Sequence, residues 1–358
     1  MVSKKQNIPS FIRRTKTMNL LIVTQTVDRN DPVLGFFHRW IEEFSKYYDH
    51  ITVICLKEGE HTLPTNVQVF SLGKERGRVP TWHYVIRFLQ LILKYHITYN
   101  RVFVHMNEEY VLLGGLFWHI YKKPIILWRN HKKGSFMTQF SGFLSTYVCY
   151  TSPMAYVAQF KNSIQMPLGI DTDFFTSQSF VRKENSILFA GRLDKVKHLN
   201  IFLAALEQLH MEKVMYIADI YGDATSGNEL YAQALKKHFS GLPTVSFHTG
   251  VPYERMPELY GTHAIYVNLT PSGSFDKTIG ESMASGCIVV AVNEALTEIL
   301  PDDLMPKENT STCVAKAIQH ALCIPKRQDL IQKNQEWVKE HHSLTLLCHK
   351  IFDLFRNA

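Results

Sequence analysis

The sequence predicts an α/β protein made of two doubly wound, Rossmann-like domains facing one cleft. Three observations carry this expectation. Short, continuous β-branched runs alternate with helical stretches, which argues for βαβ units and parallel sheets. The alternation occurs as two successive series. The 358 residues suit two domains of roughly 100–200 residues each.

The first series reads as strands at Asn19–Thr24, Ile51–Leu56, Val67–Leu72, Arg101–Met106 and Ile125–Arg129. Helices are expected between them at Phe36–Tyr48, His83–His96 and Glu109–Tyr121. Tyr147–Ser152 and Ser163–Leu168 are further strand-like runs around a short helix at Met154–Phe160. Strands with little polar alternation are expected where helices cover both faces of a sheet. The second series opens at Ser186–Arg192. Leu199, Phe202, Leu203, Leu206 and Leu209 then mark a helix by their spacing. Strands at Met215–Gly222, Val245–Thr249, Ala264–Leu269 and Ile288–Val292 alternate with helices at Glu229–Phe239, Glu254–Tyr260 and Thr278–Ser285. Three helices end the chain: Ser311–Cys323, Arg327–His341 and Leu344–Phe355. Pro167–Asp173 reads as a hinge. The expected division is a basic tail at 1–17, a first domain at 18–168, a second at 169–342, and a last helix at 343–358 returning to the first domain.

Composition removes several classes. With 46% hydrophobic and 20% charged residues, 18 Gly and 14 Pro, neither disorder nor a collagen-like chain fits. Val111–Trp118 and Pro124–Trp128 are too short to cross a bilayer. Leu20–Val23 is too short for the core of an export signal. Six scattered cysteines without a CxxC pair imply reduced thiols and a cytoplasmic protein. Residues 1–170 hold 21 Lys and Arg against 10 Asp and Glu, whereas 171–358 hold 18 against 22. The cationic half is either a solvated face or the mark of an anionic partner.

No GxGxxG, GxxxxGK[ST], GxSxG or HExxH occurs. That removes the ordinary NAD enzyme, P-loop kinase, α/β-hydrolase and zincin readings. Two other segments carry chemistry. In Phe189–Lys197 a strand ends at Gly191, Arg192 follows, and Lys197 opens a helix. Two cations thereby stand at a strand's carboxyl end, a fork and a point charge suited to phosphate oxygens. In Asn268–Gly286 a second strand leads into a helix through Ser272, Gly273, Ser274 and Asp276. Its first N–H groups and dipole suit an anion, and Glu281 lies about one turn inside.

Together these segments resemble the GT-B retaining glycosyltransferases of group 1, or family 4. The resemblance rests on Gly191-Arg192-Leu193 with Lys197, Tyr221-Gly222-Asp223, Val245–Gly250, and Glu281 through Met283-Ala284 to Gly286. Leu20–Gln25 and Leu168–Asp171 also fit it. It implies that Arg192 and Lys197 neutralise the diphosphate of a nucleotide-sugar donor and that Glu281 holds the ribose. It implies a cradle at Ser274, Phe275, Asp276, Lys277 and Thr278, a nucleotide lining at Gly222 and Gly250, and a closing glycine loop at Gly35. His131 matches the family's cleft histidine; the other reading is a surface histidine between Arg129 and Lys132. The chain departs from the family at Gly273, where a second Glu is usual, with Asp276 as a stand-in or only a helix cap.

The implied reaction moves a sugar to a glycan or lipid-linked acceptor on the basic first domain, with retention, without metal, and without a cofactor beyond the nucleotide-diphosphate sugar as co-substrate. Asp171-Thr172-Asp173 reads as an interdomain segment in preference to a metal-binding pair. His83–His96 is either a core helix or, with Lys74, Arg76 and Arg78, a contact for an anionic membrane at the inner face of the cell membrane. No recognised nucleic-acid module is present. A GT-B nucleotide-sugar epimerase and an inactive sugar-nucleotide-binding protein are the alternatives.

Overall fold

The computed structural model describes residues 17–176, 180–271, 275–325 and 327–358. The first lobe contains β1 (Asn19–Val27), α1 (Gly35–Phe44), β2 (His50–Glu58), β3 (Val67–Ser71), α2 (Thr81–Lys94), β4 (Arg101–His105), α3 (Glu109–Ile120), β5 (Ile125–Trp128), α4 (Phe136–Leu144), β6 (Tyr147–Tyr150) and β7 (Ser163–Gln165). The short α5 (Thr172–Thr176) follows the connection. The second lobe contains β8 (Lys183–Ala190), α6 (Leu199–Met211), β9 (Ile217–Tyr221), α7 (Glu229–His238), β10 (Val245–His248), α8 (Met256–Thr262), β11 (His263–Asn268), α9 (Lys277–Ala284) and β12 (Ile288–Ala291). Last come α10 (Ser311–Cys323), α11 (Arg327–His342) and α12 (Leu344–Arg356).

Both sheets are parallel, ordered β3-β2-β1-β4-β5-β6-β7 and β10-β9-β8-β11-β12. The alternation of side chains along a strand explains the continuous apolar runs. Leu20 and Ile22 pack with Phe37 and Trp40 of α1, whereas Leu21 and Val23 pack with Phe88 of α2 and Trp118 of α3. In the second lobe, Ile187 and Phe189 face α6 and α10, and Leu188 and Ala190 face α8 and α9. The chain reverses its strand order beside β1 in one sheet and beside β8 in the other. Such switch points are where open parallel sheets bind ligands, above the carboxyl ends of the strands.

The lobes are held by two connections running side by side. Ile170 N–H donates to His342 O (2.9 Å), and Leu344 N–H donates to Ile170 O (2.8 Å). Beyond this crossing, α12 lies against α1, with Phe352 5.6 Å from Tyr48 between ring centres. Arg39 of α1 is the main polar tie. Its guanidinium reaches Asp171 (3.1 Å) and Glu254 (3.3 Å) and lies 3.5 Å over the Phe174 ring.

Two local expectations change. Residues 136–144 form α4, which the sequence reading left without a helix. Ser135 caps it, accepting from Thr138 N–H. The segment expected as a helix at 154–160 is a 3-10 turn at Tyr156–Gln159.

Candidate functional site

At the second switch point the backbone sets the geometry. Gly191 N–H donates to Tyr221 O (3.0 Å), Leu193 N–H to Asp223 O (3.0 Å), and Gly222 N–H to His248 O (3.3 Å). These bonds draw the ends of β8, β9 and β10 into contact. A Cβ on Gly222 would lie 1.9 Å from Gly191 O, so no side chain fits there. Gly250 N–H donates to Asp223 Oδ2 (3.0 Å), closing the third loop. The result is a floor of closely packed backbone that a ligand can approach.

Arg192 rises from this floor. Leu193, beside it, is buried and fixes the loop, while the Arg192 side chain is 51% exposed. Its Nε lies 3.4 Å from Asp194 Oδ2, and Asp194 is itself held by the Thr225 hydroxyl. Lys197 behaves differently. It lies in a 3-10 turn at Lys195–Lys197 before α6, and its ammonium pairs with Asp276 and donates to Thr270 Oγ1 (3.1 Å). Asp276 caps α9, accepting from Thr278 N–H (3.4 Å). Asn268 completes the knot, donating to Asp276 Oδ2 and to Thr278 Oγ1, both at 3.1 Å. Burial alone would raise the Asp276 carboxyl, but the Lys197 charge and hydrogen bonds from Lys197, Asn268 and Thr278 hold it down at about 2.

The remaining expected residues separate into groups. Lys277 does not face Arg192. Its ammonium donates to Gly169 O (2.9 Å) and lies 4.1 and 4.4 Å over the Phe36 and Trp40 rings of α1. Burial lowers its pKa. Glu281 is buried, accepting from the hydroxyls of Tyr253 (3.1 Å) and Tyr260 (3.3 Å), and burial raises its carboxyl. Phe275 packs against Trp337 and His342 of α11, away from the strand ends. Gly35 starts α1 against the second lobe, where an added Cβ would be 2.8 Å from Tyr253 Cβ. His131 is exposed on the loop after β5, its Nδ1 accepting from Lys133 N–H (3.1 Å). Ser274, with Ser272 and Gly273, lies outside the described residues. Asp171 of the Asp-Thr-Asp run caps α5 through Phe174 N–H (3.1 Å) and pairs with Arg39.

Several partners had no motif to announce them. Asp194 and Asn268 lie within the quoted runs as bystanders, yet each holds a charged neighbour. Tyr253 and Tyr260 are seven residues apart, about two helical turns, and so converge on one carboxylate.

A further hydrogen-bonded cluster, only partly buried, links β9, β10 and β11. Asp219 of β9 accepts from His248 Nε2 (2.6 Å) and His263 Nε2 (3.1 Å). The hydrogen bond from His263, then that from His248, holds its carboxyl down at about 2, against 3.8 ordinarily. A depressed carboxyl stabilises the fold above its unfolded pKa and loses that contribution as pH falls towards 2. Asp219→Asn is therefore expected to lower the unfolding free energy by on the order of 2 kcal/mol at pH 7. The gap should close between pH 4 and about 2. Urea titrations at pH 7 and pH 3 measure it, and an equal gap at both would remove the ionic explanation.

Residues 184–323 match the family described as Glycosyl transferases group 1. In Streptococcus pneumoniae, the GtfA subunit of UDP-N-acetylglucosamine–peptide N-acetylglucosaminyltransferase is 27% identical over 123 residues. That match spans 34% of this chain and 23% of the relative, less than a quarter of its length. Among solved structures, Anabaena HepE in complex with UDP-glucose superposes with a TM-score of 0.74 at 16% identity, covering 95% of this chain and all of that one. Sucrose-phosphate synthase of Thermosynechococcus elongatus gives 0.71 at 16%, covering 95% and 98%. WaaG, a glycosyltransferase involved in lipopolysaccharide biosynthesis, gives 0.66 at 13%, covering 95% and 100%. At these identities the structural likeness is one of fold. The second lobe thus matches the group 1 glycosyl transferase family over residues 184–323, and both lobes share the two-lobed fold of these glycosyltransferase structures.

Proposed function

We propose that the protein transfers a sugar from a UDP-sugar to a glycan or lipid-linked acceptor bound by the first lobe, with retention of configuration. One observation carries the reading: Arg192 is a half-exposed cation on a backbone floor at the second switch point. Lys197 and Asp276 beside it tie that floor to the capped start of α9. UDP is the nucleotide named for the Anabaena and Streptococcus proteins.

Breaking the sugar–diphosphate bond places negative charge on the departing oxygen. A guanidinium fixed nearby stabilises that charge more than it stabilises the intact donor, which is what lowers a barrier. Lys197 contributes by holding Asp276 and the α9 start in place, and its own charge is largely answered by Asp276. Glu281 serves the ribose only when Tyr253 swings aside, because Tyr253 and Tyr260 cover both carboxylate oxygens. Tyr253 lies between the lobes against Gly35, so donor entry is coupled to their separation.

The acceptor has a candidate seat. A cavity of about 700 Å³ at the carboxyl ends of β2 and β3 is lined by Lys74, Arg78, Tyr84, Phe88, Tyr110 and Leu113. Its mixture of rings and cations suits an acceptor with an apolar part and an anionic part. His131 stands on the neighbouring β5 loop as the candidate to contact the transferred sugar. We place the reaction in the cytoplasm, in keeping with cysteines that form no disulfide among the described residues.

The test is incubation with UDP- and GDP-sugars in the presence of a glycan and lipid acceptor panel, with mass spectrometry of the products. UDP release accompanied by a glycosylated acceptor is the expected result. Interconverted nucleotide-sugar without acceptor product would instead assign an epimerase, and UDP-sugar binding without turnover would assign a binding protein.

A further inference from the structure

We propose that Lys277 is a positioning residue for sugar transfer: it fastens the second lobe to the first and to the connection between them, and so sets the distance across the cleft. Three parts of the chain meet at one carbonyl. Gly169, in the connection, has φ +71°, in the left-handed region that favours glycine. An added Cβ there would collide with Leu347 of α12 and lie 2.6 Å from Trp40 Cζ2. Gly169 O accepts from Trp40 Nε1 of α1 (2.9 Å) and from Lys277 Nζ of α9 (2.9 Å). The first donor belongs to the first lobe and the second donor to the second lobe. The Lys277 ammonium also lies 4.1 Å over the Phe36 ring and 4.4 Å over that of Trp40. Those two rings are one helical turn apart and share a face of α1.

The seam around this ammonium is apolar and shared. Phe36 packs against the cores of both lobes. Its ring lies 6.0 Å from His105 of β4 and 6.4 Å from Tyr253 of the second lobe. Glu281, one turn further along α9, is the main answering charge, but its two oxygens are taken by Tyr253 and Tyr260. A methionine would fill the same space without the cost of stripping water from an ammonium. What the ammonium alone supplies is attachment to a carbonyl and to two π faces at once. That attachment crosses from α9 to α1. Lys277 follows Asp276, the cap of α9 and the partner of Lys197, so a shift at the seam is passed to the strand ends that carry Arg192. In a UDP-sugar transferase, the reading on which this step rests, the seam sets how near an acceptor on the first lobe comes to a sugar on the second. Misplacement by about 1 Å is enough to cost on the order of 100-fold in rate.

Lys277→Met keeps the length of the side chain and removes its charge. Lys277→Gln keeps a donor for Gly169 O but places no charge over the rings, and it serves if the methionine variant fails to fold. Each is expected to lower kcat for sugar transfer at least about tenfold. UDP affinity, read by calorimetry, should stay at the wild-type value, because the ammonium faces α1 and not the backbone floor. Small-angle scattering of the full chain with saturating UDP should give a larger radius of gyration for each variant than for the wild type. The urea midpoint of Lys277→Met should not fall, since an apolar side chain of similar volume replaces a desolvated charge. A rate loss matched by an equal loss of UDP affinity would make Lys277 a ligand of the donor and overturn the proposal. An unchanged radius of gyration would overturn it as well. Phe36→Leu/Lys277→Met tests whether the ammonium acts through the α1 rings: the double variant should be no slower than the slower single variant, and losses that multiply would refute that path. A wild type that binds UDP but transfers no sugar would remove the transferase reading, and the scattering comparison would still decide whether Lys277 sets the lobe spacing.

Discussion

Arg192→Ala is expected to lower kcat/KM for sugar transfer by roughly 100- to 1000-fold, the size seen when one preorganised transition-state donor is removed. The urea midpoint should stay at the wild-type value. The two halves of this expectation come from the same geometry. The guanidinium is half exposed, and its ion pair with Asp194 is of the kind that contributes little to stability. Asp194 keeps the Thr225 hydroxyl when the guanidinium is gone. The loss should appear mainly in kcat, since the leaving diphosphate gains charge only as the bond breaks. Arg192→Lys should recover part of the rate, because an ammonium restores the charge but not the planar fork. Steady-state kinetics at varied donor concentration measure both variants. A rate for Arg192→Ala within threefold of wild type would remove this residue from the chemistry.

Arg192 stood out in the sequence because its immediate setting is local, although backbone bonds from Gly191 to Tyr221 and from Leu193 to Asp223 complete its loop. A buried strand, a glycine, the cation and an inward-facing leucine follow one another without interruption. The sheets were legible for a similar reason: strands buried on both faces cannot hide their β-branched composition. What escaped depended on contacts distant along the chain. Lys197 and Asp276 are 79 residues apart, so spacing alone suggested two independent ligand groups where the fold makes one ion pair. Lys277 looked like part of a phosphate cradle because the family resemblance grouped it with Ser274–Thr278. Only the docking of α1 shows that its ammonium lies over Phe36 and Trp40. Glu281 was visible as a carboxylate one turn inside a helix, but not the tyrosines that cover it. The helix α4 was missed because its apolar residues at 136, 140 and 143 point outward, and Ser141-Gly142 interrupts them. The Ser135–Thr138 capping box was the signal that could have revealed it.

Lys197→Ala should show what a cation of the other kind does. Here the expected loss falls on stability as well as on rate, because Lys197 is the counter-charge of a carboxylate with little access to water. Removing one partner of such a pair costs on the order of 3–5 kcal/mol. The cost has a pH signature. With Lys197 present, the Asp276 carboxyl is held at about 2, so the pair stabilises the fold above the unfolded carboxyl pKa and fades as pH falls towards 2. Without Lys197, burial dominates and the carboxyl rises, so the deficit should shrink below about pH 4. Lys197→Ala/Asp276→Asn separates the roles. Asparagine retains an oxygen to cap α9 through Thr278 N–H and removes the unpaired charge, so most of the lost stability should return. Activity should not return with it, because the tie between the ends of β8 and β11 is still missing its charge pair. Urea unfolding at pH 7 and pH 3, together with transfer rates for both variants, decides the matter. If the double variant regains full turnover, Lys197 acts only as a counter-ion, and the diphosphate is neutralised by Arg192 and the backbone.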